Sequence, residues 1–221
     1  MNLAEKINVM RASVMGANDG ILSVAGIVIG VAGANTSTHA ILLAGLSGML
    51  AGTVSMAMGE YVSVNAQRDA EKNALIKESR ALDTDYAGEV AFIQQKYEAT
   101  GISADLAAQA TREMLATDRI NVATRERYGF DPHEKTSAVA AAMASMIAFP
   151  TGSLLPMAAI SWLPASGRIL GTILAVIVAL SMTGYTAAAL GNANRYRAML
   201  RNVVAGILTM AVTYFVGSLF A

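Results

Sequence analysis

The sequence predicts an all-α polytopic membrane protein: five transmembrane helices, with a helical domain inserted between the second and the third. Three observations lead there. The 221-residue chain is 54% hydrophobic and only 14% charged, which is too apolar for an ordinary soluble domain. Its charges are concentrated, because residues 66–135 hold 13 of the 16 acidic and 10 of the 16 basic side chains. The remainder divides into five apolar runs, each near the ~20 residues that cross a hydrocarbon core.

The expected spans are 14–34, 40–64, 137–160, 170–191 and 203–220. They frame three regions: 1–64 with the first two spans, 65–135 as the polar insert, and 136–221 with the last three. Lys6 and Arg11 before the first run, and Ala32-Gly33-Ala34 after it, resemble a secretion signal, but Asp19 interrupts the apolar run and four more spans follow. With the N-terminus in the cytoplasm, 15 of the 16 basic residues fall on that side; only Arg168, near Trp162, falls outside. That is a strong positive-inside pattern, and an odd number of spans then puts the C-terminus outside.

The insert reads as helices. No Gly or Pro follows Gly59 as far as Leu82, so the second span is expected to continue out of the membrane as one helix. Val90, Ile93 and Tyr97 share a helical face, with Gly101 as the stop. Ser103 is placed to cap a third helix, and Asp118 a fourth that ends at Gly129. Pro132 breaks the chain before its return to the membrane. In the third span, Pro150 is expected to shape the helix by freeing a backbone carbonyl.

The composition excludes several classes. There is no net charge and no basic-aromatic stripe, so no nucleic-acid partner is expected. There is no cysteine, which excludes disulfide, zinc-thiolate and iron–sulfur sites. A di-metal oxidase would need Glu-x-x-His pairs. His39 and His133 instead follow Thr36 and Phe130 at that spacing, so no enzyme is expected.

What remains is a set of carboxylates in unusual places. Asp19 lies inside the first span, where an ionisable group is a functional candidate. Glu60, Glu71 and Glu78 are spaced by 11 and 7 residues, and Met56 precedes them by one turn. At 3.6 residues per turn these four share one stripe, about 33 Å long. Spans one and two run oppositely, and Gly16, Gly20, Gly52 and Gly59 are small enough for them to meet closely. Asp19 is then expected between Met56 and Glu60 in depth. Two carboxylates and a thioether, without cysteine or nearby histidine, suit Fe²⁺ or Mn²⁺ better than copper or zinc.

The stretches VMGANDGILS, SMAMGEYVSVNAQRD and RNVVAGILTMAVTYFVGSLF resemble the vacuolar iron transporter family, bacterial type, over essentially the whole chain. The resemblance implies a homodimer of five-span subunits that exports Fe²⁺ or Mn²⁺ from the cytosol in exchange for protons. The metal is then cargo, with no tightly bound cofactor, and a bacterial inner membrane is the expected location. It implies that Asp19 and Met56 line the pathway, where the spacing also places Glu60, and that Glu78, Glu89 and Glu126, with Glu71 nearby, gather metal on the insert. Ala81, Phe92 and Gly129 stand where richer family members carry further acids. A passive metal channel and a non-transporting metal sensor remain as alternatives.

Overall fold

The computed structural model describes residues 3–221. Among them are seven helices: α1 (Leu3–Gly33), α2 (Thr38–Thr84), α3 (Tyr86–Glu98), α4 (Ala104–Tyr128), α5 (Ala138–Trp162), α6 (Arg168–Leu190) and α7 (Arg195–Ser218). All but α3 and α4 are long and apolar enough to cross a membrane. They divide into two compact units, residues 3–62 with 137–221, and residues 63–136.

In the first unit α1 is the central helix. Its Ile21, Val24, Val28 and Ile29 are buried with Ile41 of α2, Phe149 and Ile160 of α5, Val176 and Leu180 of α6, and Met210 of α7. Outward residues such as Leu50, Val54, Ile147, Leu154, Leu174 and Leu208 are exposed, as lipid-facing positions are, since lipid tails are as apolar as leucine. The expected glycine contacts are redistributed. Gly16 and Gly20 of α1 press against the backbone of α5, where a Cβ on Gly20 would run into the Phe149 carbonyl. Gly152 answers from α5 against Ala17. Ser145 and Ser153 of α5 donate hydrogen bonds to the carbonyls of Ala12 and Gly20, each at 3.2 Å. Gly52 of α2 meets the Phe149 ring, and Gly59 has nothing within 4 Å. The small residues thus bring α1 onto α5 rather than onto α2.

α5 continues through Pro150 and Pro156 without a break; each proline frees a carbonyl one turn earlier. Local signals set the ends. Ser137 caps α5, and Asn194 caps α7 by accepting from the Arg197 amide at 3.0 Å. Asn35 and Asn192 hold the left-handed turns after α1 and α6, a conformation that asparagine tolerates.

In the second unit, the end of α2 packs with α3 and α4 around Leu82, Ile93, Leu115 and Ala123. Asp85 caps α3 through the Gly88 amide at 2.9 Å. The two helices expected on either side of Asp118 form one element, α4, with a non-helical Asp118 inside it (φ −153°, ψ 80°). Asp118 still accepts from the Asn121 amide at 3.3 Å, so it caps the second segment as expected. Ser103 makes no side-chain cap bond.

Candidate metal pathway and metal-binding carboxylates

In the membrane-length unit, the register of α1 against α2 fixes the depth of each candidate. Gly48 faces Ile27, and Gly45 faces Val28. Carried along two antiparallel helices, that pairing sets Asp19 level with Val54 to Met56. Glu60 lies about 6 Å nearer the start of α1, four residues at ~1.5 Å each. By this register Asp19 lies at about the depth of Met56, rather than between Met56 and Glu60. The sequence estimate counted from span ends, and α1 and α2 extend beyond those ends unequally.

Asp19 is exposed in the single chain, although it sits in the apolar stretch of α1. Its Oδ1 accepts from Ser23 Oγ at 2.6 Å, one turn on. Met56 is half-buried and packs against the core, whereas Met58 is 55% exposed. Glu60 is only 6% exposed and is ion-paired to Arg11 at 2.8 Å. Arg11 also donates to Asn8 Oδ1 at 3.1 Å. The sequence pattern missed this partner, because nothing in the spacing links residues 49 positions apart. Pro150 follows Phe149, whose ring meets Gly52.

In the second unit, Glu78 of α2 and Glu89 of α3 converge on Arg127 of α4. Arg127 donates to Glu89 through both Nη2 and Nε, the latter at 3.2 Å. Nε also lies 3.3 Å from Glu78 Oε2. That nitrogen has one proton, and Glu89 takes it. Glu78 is 1% exposed, and neither of its oxygens has a hydrogen-bond partner. Burial, and then the neighbouring Glu89 carboxylate, push its pKa above the usual carboxylate range; Arg127 only partly offsets them. The Arg127 guanidinium also stacks on Phe92, 4.1 Å from the ring centre.

Glu126 points to another set of partners. Lys96 Nζ reaches it at 2.9 Å and Arg125 at 3.4 Å. Burial raises its pKa, but hydrogen bonds from Lys96 and Tyr97 outweigh that and hold it below the usual range. Burial and the Glu126 charge raise Tyr97 in turn. Glu71 accepts from Gln67 at 2.8 Å and lines a cavity of about 300 Å³ with Arg68, Lys72, Phe130, Glu134 and Lys135. Of the four expected insert ligands, then, Glu78 and Glu89 come together, while Glu126 and Glu71 keep separate partners. Among the described residues no group of three or more His, Asp or Glu side chains is assembled as a metal site. The Glu78–Glu89 pair, with both Glu78 oxygens unsatisfied, has the donor chemistry for a hard or borderline divalent ion.

The VIT family model matches residues 10–218. The chain is 34% identical over 211 residues to a vacuolar iron transporter of Acanthamoeba castellanii, covering 95% of this chain and 78% of that one. It is 33% identical over 221 residues to vacuolar iron transporter homolog 1 of Oryza sativa subsp. japonica, covering 100% and 77%. Homolog 2 of the same plant is 34% identical over 214 residues, covering 96% and 90%. The match runs through every membrane-length helix and through the carboxylates just described: this chain belongs to the VIT family.

Proposed function

We propose that the chain is a proton-coupled exporter that carries Fe²⁺ or Mn²⁺ out of the cytosol as a homodimer, with the path along α1 and α2. The observation that carries this reading is Asp19: an ionisable group at mid-helix, level with Met56, on a face its own chain leaves uncovered. A carboxylate open to lipid there would be costly. A second copy covering that face turns it into one wall of a polar path and brings two aspartates and two methionines to one level. Names of the relatives support iron as cargo. The carboxylate–thioether set extends the choice to manganese.

In this reading the 65–135 insert is cytoplasmic, and Glu78 and Glu89 collect metal there. Glu126 and Glu71 are auxiliary acids around them. Glu60, held by Arg11, marks the cytoplasmic mouth. Asp19 alternates between the divalent ion and a proton, because both compete for the same oxygens. Uptake of a proton on the outer side releases the metal, and loss of that proton to the cytosol resets the carboxylate.

Metal flux in proteoliposomes tests it. Asp19→Asn keeps the size and one oxygen but removes the charge and the proton site, and is expected to abolish pH-driven Fe²⁺ or Mn²⁺ flux with the fold intact. Met56→Leu is expected to reduce flux less and to narrow the preference for Mn²⁺ over Mg²⁺ and Ca²⁺. Normal flux in Asp19→Asn refutes the assignment. Flux that ignores an imposed pH gradient refutes antiport and leaves a passive channel.

A further inference from the structure

The membrane-length unit holds a second polar feature. A cavity of about 300 Å³ is set among α1, α6 and α7, lined by Arg201 and Asn202 of α7, Asn18 of α1 and small residues including Gly184, Ala187 and Ala198. The small residues make the room. At Gly184 even a Cβ would crowd the Met199 backbone at 2.9 Å, so α6 and α7 are drawn together at the cavity floor.

Its polar lining is organised. Asn18 Oδ1 accepts from Asn202 Nδ2 at 3.1 Å, and the Thr183 hydroxyl lies 3.5 Å away, nearer the Leu180 carbonyl at 3.2 Å. With its oxygen engaged by Asn202, the amide offers its NH₂ group, for which no partner is found among the described residues. Arg197 stands one turn before Arg201 and so shares its face. Neither guanidinium forms an ion pair among the described residues. No acidic residue occurs anywhere after Glu134. Arg195, by contrast, is engaged by the Tyr185 hydroxyl at 3.1 Å and by its ring.

This lining repels the transported cation and has no carboxylate to hold one. It suits an anion with several oxygens, which a guanidinium grips with paired N–H donors. It sits between the end of α6 and the start of α7, where the apolar run of α6 gives way to Arg195, Arg197 and Arg201, as at a headgroup layer. Leu200 and Val204 are exposed along the next turns of α7 and offer an apolar track for acyl chains. We propose that this cavity binds the phosphate group of an anionic phospholipid, with Arg201 and the Asn18 amide as donors and Arg197 as a supporting charge.

The full chain, purified in neutral detergent, is titrated with phosphatidylglycerol, phosphatidylcholine or inorganic phosphate. Thermal unfolding is followed, and bound lipids are counted by native mass spectrometry. Phosphatidylglycerol is expected to raise the midpoint, and the other two to leave it unchanged. Arg201→Gln is expected to weaken the lipid by about tenfold, the loss of one charge-assisted contact. Ala187→Leu fills the cavity without touching a charge and is expected to do the same. Equal stabilisation by phosphatidylcholine overturns the proposal, as does wild-type lipid retention in Arg201→Gln. An effect reproduced by inorganic phosphate alone overturns the lipid assignment in favour of a soluble anion. Where a variant loses thermal stability outright, the lipid count on the folded fraction still decides.

Discussion

A carboxylate that is 1% exposed, with neither oxygen hydrogen-bonded, is costly to keep. Glu78 is that residue, and its cost predicts a trade between stability and binding. Its raised pKa means that folding loses stability as pH rises through the ordinary carboxylate range toward the folded-state value, and regains it as pH falls back. Glu78→Gln removes the charge at every pH. At pH 7 and without metal, α3 and α4 of this variant are expected to exchange amide hydrogen more slowly than wild type, and the difference is expected to shrink toward pH 4. The same variant is expected to bind Mn²⁺ more weakly in calorimetry on the full chain. Slower exchange with undiminished Mn²⁺ binding would remove Glu78 from the metal site. The sequence showed that Glu78 was a candidate, through its stripe with Glu60 and Glu71. It did not show Arg127 as its partner, because a pair formed 49 positions apart leaves no periodic trace.

At the scale of helices, the close approach of α1 to α5 depends on Gly16, Gly20 and Gly152 together with two interhelical serine bonds. Gly20→Ala places one methyl against the Phe149 carbonyl. It is expected to destabilise the helix bundle by about 1–3 kcal/mol, as overpacking does. A lowered thermal midpoint in detergent checks this, and an unchanged midpoint would mean that α1 and α5 do not meet as described. The helices themselves were legible. Apolar runs of membrane length leave little choice of secondary structure, since unpaired backbone groups are intolerable in lipid. The helix ends were less so: α1 begins at Leu3, well before the apolar run, because its polar first turns continue the same helix. Nor was the partner of each glycine legible. A small residue announces that something comes close, but not which helix.

For the molecule as a whole, the outward set of Asp19 on a bundle already complete around α1 calls for a second copy. We expect a two-fold homodimer in mild detergent, with a mass of two chains by light scattering and cross-linking between copies of a cysteine placed next to Asp19. A monomeric mass with flux intact would overturn it. The cysteine-free sequence makes any introduced cysteine unique, so the cross-link reports one position.

The unbroken length of α2 has a kinetic consequence. Starting a helix is the slow, unfavourable step, because several residues must be fixed for the first hydrogen bond; each further residue adds a bond at little cost. α2 runs for 47 residues with no turn inside it. Once its apolar first half has become helical during insertion, the polar second half needs no nucleus of its own and grows from a finished template. Leu82 and Glu78 are therefore expected to be presented on helix before α3 and α4 have been synthesised, and the shorter helices to fold by docking onto α2, which native-state and refolding hydrogen exchange would show as protection of α2 ahead of α3 and α4.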